Sequence, residues 1–240
     1  GEFARIASEA APRADIADRR GRVLARSVPS WSAFLDKRLL KETRKDPAAL
    51  AAKLAPLLKL PAAELEKKAR APGRFCWLKT GLDHPAAQAL QAARVECVGL
   101  TPASQRVYPN GDLGRPVLGQ VGAEGRGMAG VELSHEKQLR GKPRKLEFVR
   151  DGKGRSIHRD IAEDGEIPPP LQLTLDRNVQ YIVEEALREG ALAHSFKSGY
   201  AAVQDPSTGD ILAMASWPMT PLKNPLVQDA YEPGSTFKIV

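Results

Sequence analysis

The sequence predicts an α+β chain in two parts, a longer one over residues 1–168 and a shorter one over 169–240. Three observations carry this reading. Short β-patterned runs alternate with capped helical segments through the first part. The Pro-rich run Glu166-Ile167-Pro168-Pro169-Pro170 then breaks the pattern. Beyond it come one strand, one long helix with 3.6-residue periodicity and a further pair of strands.

Taken in order, Ile16 and then Val23 and Leu24 flank a turn that ends at Gly21, which reads as a hairpin. Arg20-Gly21 suits a type I turn with a glycine bulge better than a type I′ turn, because Asn-Gly is missing. Asp46-Pro47 opens a helix, with Asp as cap and Pro in the first turn, and Leu50, Leu54, Leu57 and Leu58 share one face. Pro61 restarts a shorter helix to Arg70, closed by Pro72-Gly73. Phe75 to Leu78 reads as a strand, His84 to Arg94 as a helix capped by Asp83, and Val95 to Leu100 as another strand. Val117 to Gly122 is also read as a strand. Lys145 to Val149 and Arg155 to His158 form a hairpin around Asp151-Gly152. Past the break, Leu171 to Leu175 is a strand. The long helix carries Val179, Ile182, Val183, Ala186 and Leu187 at 3.6-residue periodicity, and Gly199 to Gln204 and Asp210 to Ala215 are strands joined by Asp205-Pro206-Ser207-Thr208-Gly209.

Composition narrows the function classes. Hydrophobic content of 42% suffices for packed cores. The net charge of +7 is compatible with an anionic surface or polymer. No basic run is interleaved with aromatics, so nucleic acid is not the expected partner. No stretch approaches the roughly 18 apolar residues of a spanning helix. Two cysteines, Cys76 and Cys97, and four scattered histidines give no zinc pattern, so neither a metal nor a cofactor is expected. Each cysteine sits in a short strand and the two flank one helix, which makes them candidates for a bridge; a Cα separation beyond about 7 Å excludes it.

The chemistry-bearing stretch is Tyr231-Glu232-Pro233-Gly234-Ser235-Thr236-Phe237-Lys238. If the chain turns helical after Gly234, Ser235 and Lys238 lie one turn apart on one face. A Ser hydroxyl needs a neighbouring base to become a nucleophile, and a desolvated Lys can serve. The other reading of Ser235 is a helix N-cap, and the local sequence alone supports both equally. Ser-x-x-Lys is a weak signal, since roughly one such spacing arises by chance. Ser134-His135-Glu136-Lys137 also fits it, in an amphipathic stretch that reads as a solvated helix face.

Glu-Pro-Gly-Ser-Thr-Phe-Lys resembles the active-site block of class B penicillin-binding proteins, the peptidoglycan D,D-transpeptidases. The resemblance covers nearly the whole chain. Arg13-Ala14 to Gly21 resembles the first motif of the N-terminal pedestal, with Ala14 for Gly and Arg20 for Asn. Arg106-Val107-Tyr108-Pro109-Asn110-Gly111 resembles the second motif. Val117-Leu118-Gly119 follows, with Pro116 where the family commonly has His, and Gly127-Met128-Ala129-Gly130-Val131-Glu132 resembles the third motif. Thr174-Leu175-Asp176 resembles the opening of the transpeptidase domain. Lys79-Thr80-Gly81 is not the family's Lys-Thr-Gly, because that motif follows the nucleophile in chain order; it reads as the end of a pedestal strand. Ser216 to Tyr231 is short by family standards, and Met219-Thr220-Pro221 is a candidate junction there.

The resemblance implies an elongated pedestal over 1–168, followed by the first strands and helix of the transpeptidase domain. It implies Ser235 as nucleophile on the D-Ala-D-Ala carbonyl of a peptidoglycan stem peptide, Lys238 as proton acceptor, and acylation of Ser235 by β-lactams. The compact pedestal looks like the division-type (FtsI-like) branch. Expected partners are a membrane glycosyltransferase of the SEDS (FtsW/RodA-like) type and other division proteins. The expected location is the extracytoplasmic face of the bacterial cytoplasmic membrane. Gly1-Glu2-Phe3 reads as a cloning remnant in place of a removed single-pass anchor. The chain stops at Val240, before the family's later motifs, so this 240-residue polypeptide is not expected to be acylated. Two further readings are a pedestal module that only binds partners, and a β-lactam hydrolase or sensor. Arg106 is the natural partner of Glu132, in a polar cluster expected to include Asp18 or Arg19.

Overall fold

The structure, a computed structural model, describes residues 5–9, 12–122, 125–142, 144–150, 156–163 and 165–230. In chain order the elements are β1 (Arg5–Glu9), β2 (Ile16–Ala17), β3 (Val23–Asp36), α1 (Lys37–Glu42), α2 (Pro47–Leu58), α3 (Ala62–Arg70), β4 (Phe75–Leu82), α4 (His84–Ala92) and β5 (Val98–Val107). There follow α5 (Arg115–Leu118), β6 (Gln120–Val121), β7 (Gly127–Ala129), α6 (Gly130–Ser134), α7 (Glu136–Leu139), β8 (Arg144–Arg150) and β9 (Ser156–Glu163). The last are β10 (Leu171–Gln172), α8 (Arg177–His194), β11 (Gly199–Gln204), β12 (Ile211–Trp217) and α9 (Pro225–Gln228). Helices α1 to α3 follow one another, and β1 with β8, β2 with β3, β3 with β4 and β11 with β12 pair antiparallel while β2 with β10 is parallel, as an α+β fold has them. The chain divides into two compact units interleaved in sequence, one of residues 1–12, 27–105 and 141–167, the other of 13–26, 106–140 and 168–240.

In the first unit β3 is bonded on both edges, by β4 and β5. Strand alternation sends Ala33 and Leu35 inward, where they meet Leu50, Leu54 and Leu58 of α2, Leu65 of α3, Leu78 of β4 and Leu90 of α4. The opposite face carries Phe34, Phe75 and Trp77 in mutual contact, with ring centroids 4.9 Å apart for Phe75 and Trp77. Asp46 caps α2 through Ala48 and Ala49, and Asp83 caps α4 through Ala86, as the sequence predicts. Lys79 donates to the Leu58 carbonyl at 2.5 Å, so the decoy Lys-Thr-Gly closes the C-terminus of α2. A second sheet runs β1-β8-β9, all antiparallel, and contains the expected hairpin.

Three expectations change here. Cys76 and Cys97 are both unbridged thiols. Cys76 pairs with Leu35 on one edge of β3, while the Cys97 carbonyl accepts from Asp36 N–H on the other. A whole strand lies between them, and two strand spacings of about 4.8 Å exceed the reach of a disulfide. The strand after Leu82 begins at Val98 and runs to Val107, later and longer than expected. The stretch from Val117 is helical first: Arg115–Leu118 forms a turn of helix, and only Gln120–Val121 is strand. Pro116 explains this, because its ring presets a helical φ and it has no N–H for a ladder.

In the second unit β2 pairs antiparallel with the start of β3 and parallel with β10. Gly21 at φ 77 and the Gly21 N–H to Asp18 carbonyl bond of 2.9 Å make the turn a type I with a glycine bulge, as the residues predict. Ile16, Leu24, Leu118 and Leu139 are buried together. Two glycines let the β6–β7 hairpin and α5 close up. Gly119 has φ 80, and a Cβ there would lie 1.9 Å from the Ala129 carbonyl oxygen; Gly130 has φ 57, and its Cβ would lie 2.4 Å from the Val117 oxygen.

Gly119→Ala is therefore expected to lower stability by about 3 kcal/mol or more, from backbone strain and collision together. Gly111→Ala, at φ 63 with open space around it, should cost only about 1–2 kcal/mol. Urea denaturation of both variants checks this; equal losses would rule out the collision.

Candidate functional site

Ser235 and Lys238 lie in residues 231–240, outside the described residues. What the structure does describe is the support from which the chain runs toward them, in the second unit. Three polar joints hold it.

The first joint is a buried ion cluster. Glu132 is fully buried. Its Oε1 accepts from Arg106 Nε at 2.7 Å and its Oε2 from Arg13 Nε at 3.0 Å. Arg13 also donates to Glu136 at 2.6 Å and to the Glu132 carbonyl at 3.0 Å. Arg106 reaches the Ala14 carbonyl at 2.8 Å. Two guanidiniums face two carboxylates, so buried charge is balanced within the cluster. Arg115 stacks on the Tyr108 ring, 3.6 Å from its centroid. The Arg106–Glu132 pair joins the second and third matching motifs, as expected. The first motif's contribution is Arg13, not Asp18 or Arg19. Position decides this: Arg13 precedes β2 and points at the start of α6, whereas Asp18 and Arg19 sit in the hairpin turn beyond it.

Asp18 instead builds the second joint. Its carboxylate is buried and accepts from Arg20 N–H, Arg22 N–H, Arg22 Nε at 2.7 Å and Arg177 N–H at 3.2 Å. Arg22 also contacts Asp176, the N-cap of α8, at 3.0 Å. Two acidic groups thus meet the positive end of α8. Burial opposes ionisation of Asp18, but the bonds from Arg22, Arg177 and Arg20 together hold its pKa below the usual range. Asp176 is lowered in the same way, its bonds to Asn178, Arg22 and Val179 prevailing over desolvation.

The third joint ties α8 to β12. Gln180, also buried, donates to the Met214 carbonyl at 2.6 Å and accepts from Met214 N–H at 2.9 Å, as a neighbouring strand would. Gln180 donates to Glu184 at 2.7 Å, and Glu184 accepts from Gly114 N–H at 2.8 Å. Burial raises the Glu184 pKa, against the bonds from Gln180 and Gly114 and with the charges of Asp112 and Glu185 adding to it. Gln180 was not singled out from the sequence. Its signal is a polar residue beside the apolar stripe of an amphipathic helix. Ile182 of that stripe is in fact exposed.

Every polar group in these joints serves to position backbone, and none is a nucleophile. Ser134, the decoy, is exposed, with its hydroxyl 2.9 Å from His135 Nδ1. Among the described residues no group of three or more His, Cys, Asp or Glu is placed to hold a metal ion. No helix among them is long and apolar enough to cross a membrane.

Glu132→Ala should cost about 3–5 kcal/mol, because two buried guanidiniums lose their shared acceptor; thermal or urea unfolding measures it. A raised carboxyl pKa stabilises the fold below the unfolded value of about 4.3, and that contribution is lost as pH rises through the folded value. Glu184→Gln keeps the accepting oxygen and removes the charge. The variant should match or exceed the parent Tm at pH 8 and lose that advantage below about pH 4. A Tm deficit at pH 8 that disappears at low pH would reverse the sign and refute the assignment.

The family model for the penicillin-binding protein dimerisation domain matches residues 8–168. The model for the penicillin binding protein transpeptidase domain matches residues 199–240. The probable peptidoglycan D,D-transpeptidase PenA of Neisseria meningitidis is 31% identical over 243 residues, covering 95% of this chain and 42% of that protein. Peptidoglycan D,D-transpeptidase FtsI of Escherichia coli is 29% identical over 248 residues, covering 98% of this chain and 42% of that protein. The chain thus spans less than half the length of these relatives. The crystal structure of a peptidoglycan synthetase from Bifidobacterium adolescentis is similar with a TM-score of 0.65 and 26% identity, over 99% of this chain and 50% of that one. With the dimerisation-domain match alone extending over residues 8–168 of 240, the chain belongs to the penicillin-binding protein family.

Proposed function

We propose that the protein is a peptidoglycan D,D-transpeptidase of the division type, with Ser235 as nucleophile and Lys238 as its base. The observation that carries this is the position of Ser-x-x-Lys at 235–238, inside the segment that matches the transpeptidase family model. In this reading residues 1–168 are the pedestal and 169–240 the start of the catalytic domain. Ser235 Oγ attacks the carbonyl carbon of the penultimate D-Ala of a stem peptide. Lys238 takes the hydroxyl proton, and the terminal D-Ala leaves as its amine. An amine of a neighbouring stem peptide then attacks the acyl-enzyme, regenerating Ser235. The Ser235 backbone N–H is a natural donor to the developing oxyanion. A β-lactam acylates the same oxygen, and its opened ring cannot leave, so the adduct persists. The names of the Neisseria meningitidis and Escherichia coli relatives support the reaction class. The expected setting is the extracytoplasmic face of the cytoplasmic membrane, beside a SEDS-type glycosyltransferase.

A second reading is a module that binds cell-wall synthesis partners and does no chemistry. What favours it is that the described polar joints are wholly structural, each group spent on backbone or counter-ion. A hydrolase or sensor is weaker, since the dimerisation-domain match accounts for residues 8–168.

Fluorescent penicillin applied to the full gene product separates these. A stable adduct, located on Ser235 by mass spectrometry and lost in Ser235→Ala, is the expected result. Lys238→Ala should slow acylation by about 10²–10⁴-fold while leaving the fold intact. Rapid turnover of label would instead mean a hydrolase. An unlabelled full-length protein, or label surviving Ser235→Ala, would remove Ser235 from the role.

A further inference from the structure

The first unit holds a cavity of about 480 Å³ whose polar lining is entirely cationic: Lys37, Lys41, Arg44, Lys45 and Arg70. We propose that it binds a phosphate group. No Asp or Glu lines it. Asp36 and Asp46, next to Lys37 and Lys45 in sequence, turn their carboxylates to the N–H groups of their own helices, α1 and α2, and Glu42, next to Lys41, does not line the cavity. Lys45 pairs with Glu96 at 3.0 Å and Arg70 with Glu66 at 2.8 Å, both at exposed positions where such pairs are weak. Lys41 and Arg44 have no ion pair among the described residues.

The floor of the cavity is more telling. Lys37 is 3% exposed, and its ammonium donates to the Ala71 carbonyl at 2.7 Å. No carboxylate within the described residues meets it. Ala71 is the C-cap of α3, so the ammonium meets that helix's negative end, and an anion in the cavity would add the full counter-charge that a carbonyl does not supply.

The residue types select phosphate. A guanidinium fork and several ammonium donors match the tetrahedrally arranged non-bridging oxygens of a phosphate, three in a monoester and two in a diester. The remaining wall is apolar, including Leu40 and Pro72, so a phosphate with an aliphatic body also fits. Two sources share this chemistry, a soluble phosphate ester and a phospholipid headgroup.

The test titrates the 240-residue chain with inorganic pyrophosphate by calorimetry. It also cosediments the chain with vesicles of phosphatidylglycerol in phosphatidylcholine, against phosphatidylcholine alone. Binding should weaken tenfold or more in Lys41→Ala/Arg44→Ala, whose side chains are exposed and carry no described fold contact. It should stay unchanged in Lys137→Ala/Lys197→Ala, which removes the same charge from exposed positions elsewhere. It should also fall as salt shortens the screening length. Binding to pyrophosphate assigns a free phosphate group, and binding to anionic vesicles alone assigns a headgroup. No binding to either probe, or equal loss in both double variants, overturns the proposal.

Discussion

Glu132 is the group on which the second unit depends. A fully buried carboxylate is tolerable only if every oxygen has a charged or strong donor. Here Arg106 supplies one oxygen and Arg13 the other. These partners come from chain segments more than ninety residues apart (Arg106 is 92 residues from Ala14, whose carbonyl it also binds). The carboxylate therefore dictates where three distant segments meet. The close backbone approach of Gly119 and Gly130 beside it is a consequence, since α6 must begin where Glu132 reaches both arginines.

From that anchor the constraint passes to α8 by two independent routes. Arg22 and Asp18 fix its N-terminus, and Gln180 fixes its first turns to β12. A helix held at one point can swing; one held at its end and its flank cannot. The residues after β12 lead in sequence toward Ser235. A serine acylated at a useful rate must sit within a fraction of an ångström of its base and its oxyanion donors. Such a site requires stiff support, and these joints are held by short, specific bonds from Glu132 to Arg13 and Arg106, from Asp18 to Arg22 and from Gln180 to Met214.

The elements legible in the sequence were those written in local code. Asp46-Pro47 and Asp83 mark helix starts because a cap acts over three residues. Arg20-Gly21 marks its turn for the same reason. What the sequence hid was set by distant neighbours. β3 extends to Asp36 through Ser27, Pro29, Ser30 and Ser32, residues that by themselves favour turns. They form strand because β4 and β5 bond both edges of its later residues. α1 was missed because Lys37 to Glu42 shows no apolar stripe, only the cap at Asp36. At the site, Arg106 and Glu132 were legible as motif residues, while Arg13 and Gln180 were not distinguished. Nothing local announces which arginine of a charged hairpin turns inward. Ser235 and Lys238 rest on sequence and resemblance.

Apolar side chains of equal volume could fill the space of the Arg13–Glu132–Arg106 cluster, and such replacements often stabilise a fold. They would not reproduce what the cluster specifies. An apolar core accepts neighbouring segments in several registers, because its contacts are non-directional. A guanidinium fork does not: Arg13 assigns its nitrogens separately to Glu132, Glu136 and the Glu132 carbonyl. A shift of one residue in α6 would leave at least one buried charge unpaired, a penalty of several kcal/mol. This second unit is assembled from three separated stretches of chain with a small apolar core. Directional pairing supplies the register that so few buried side chains cannot.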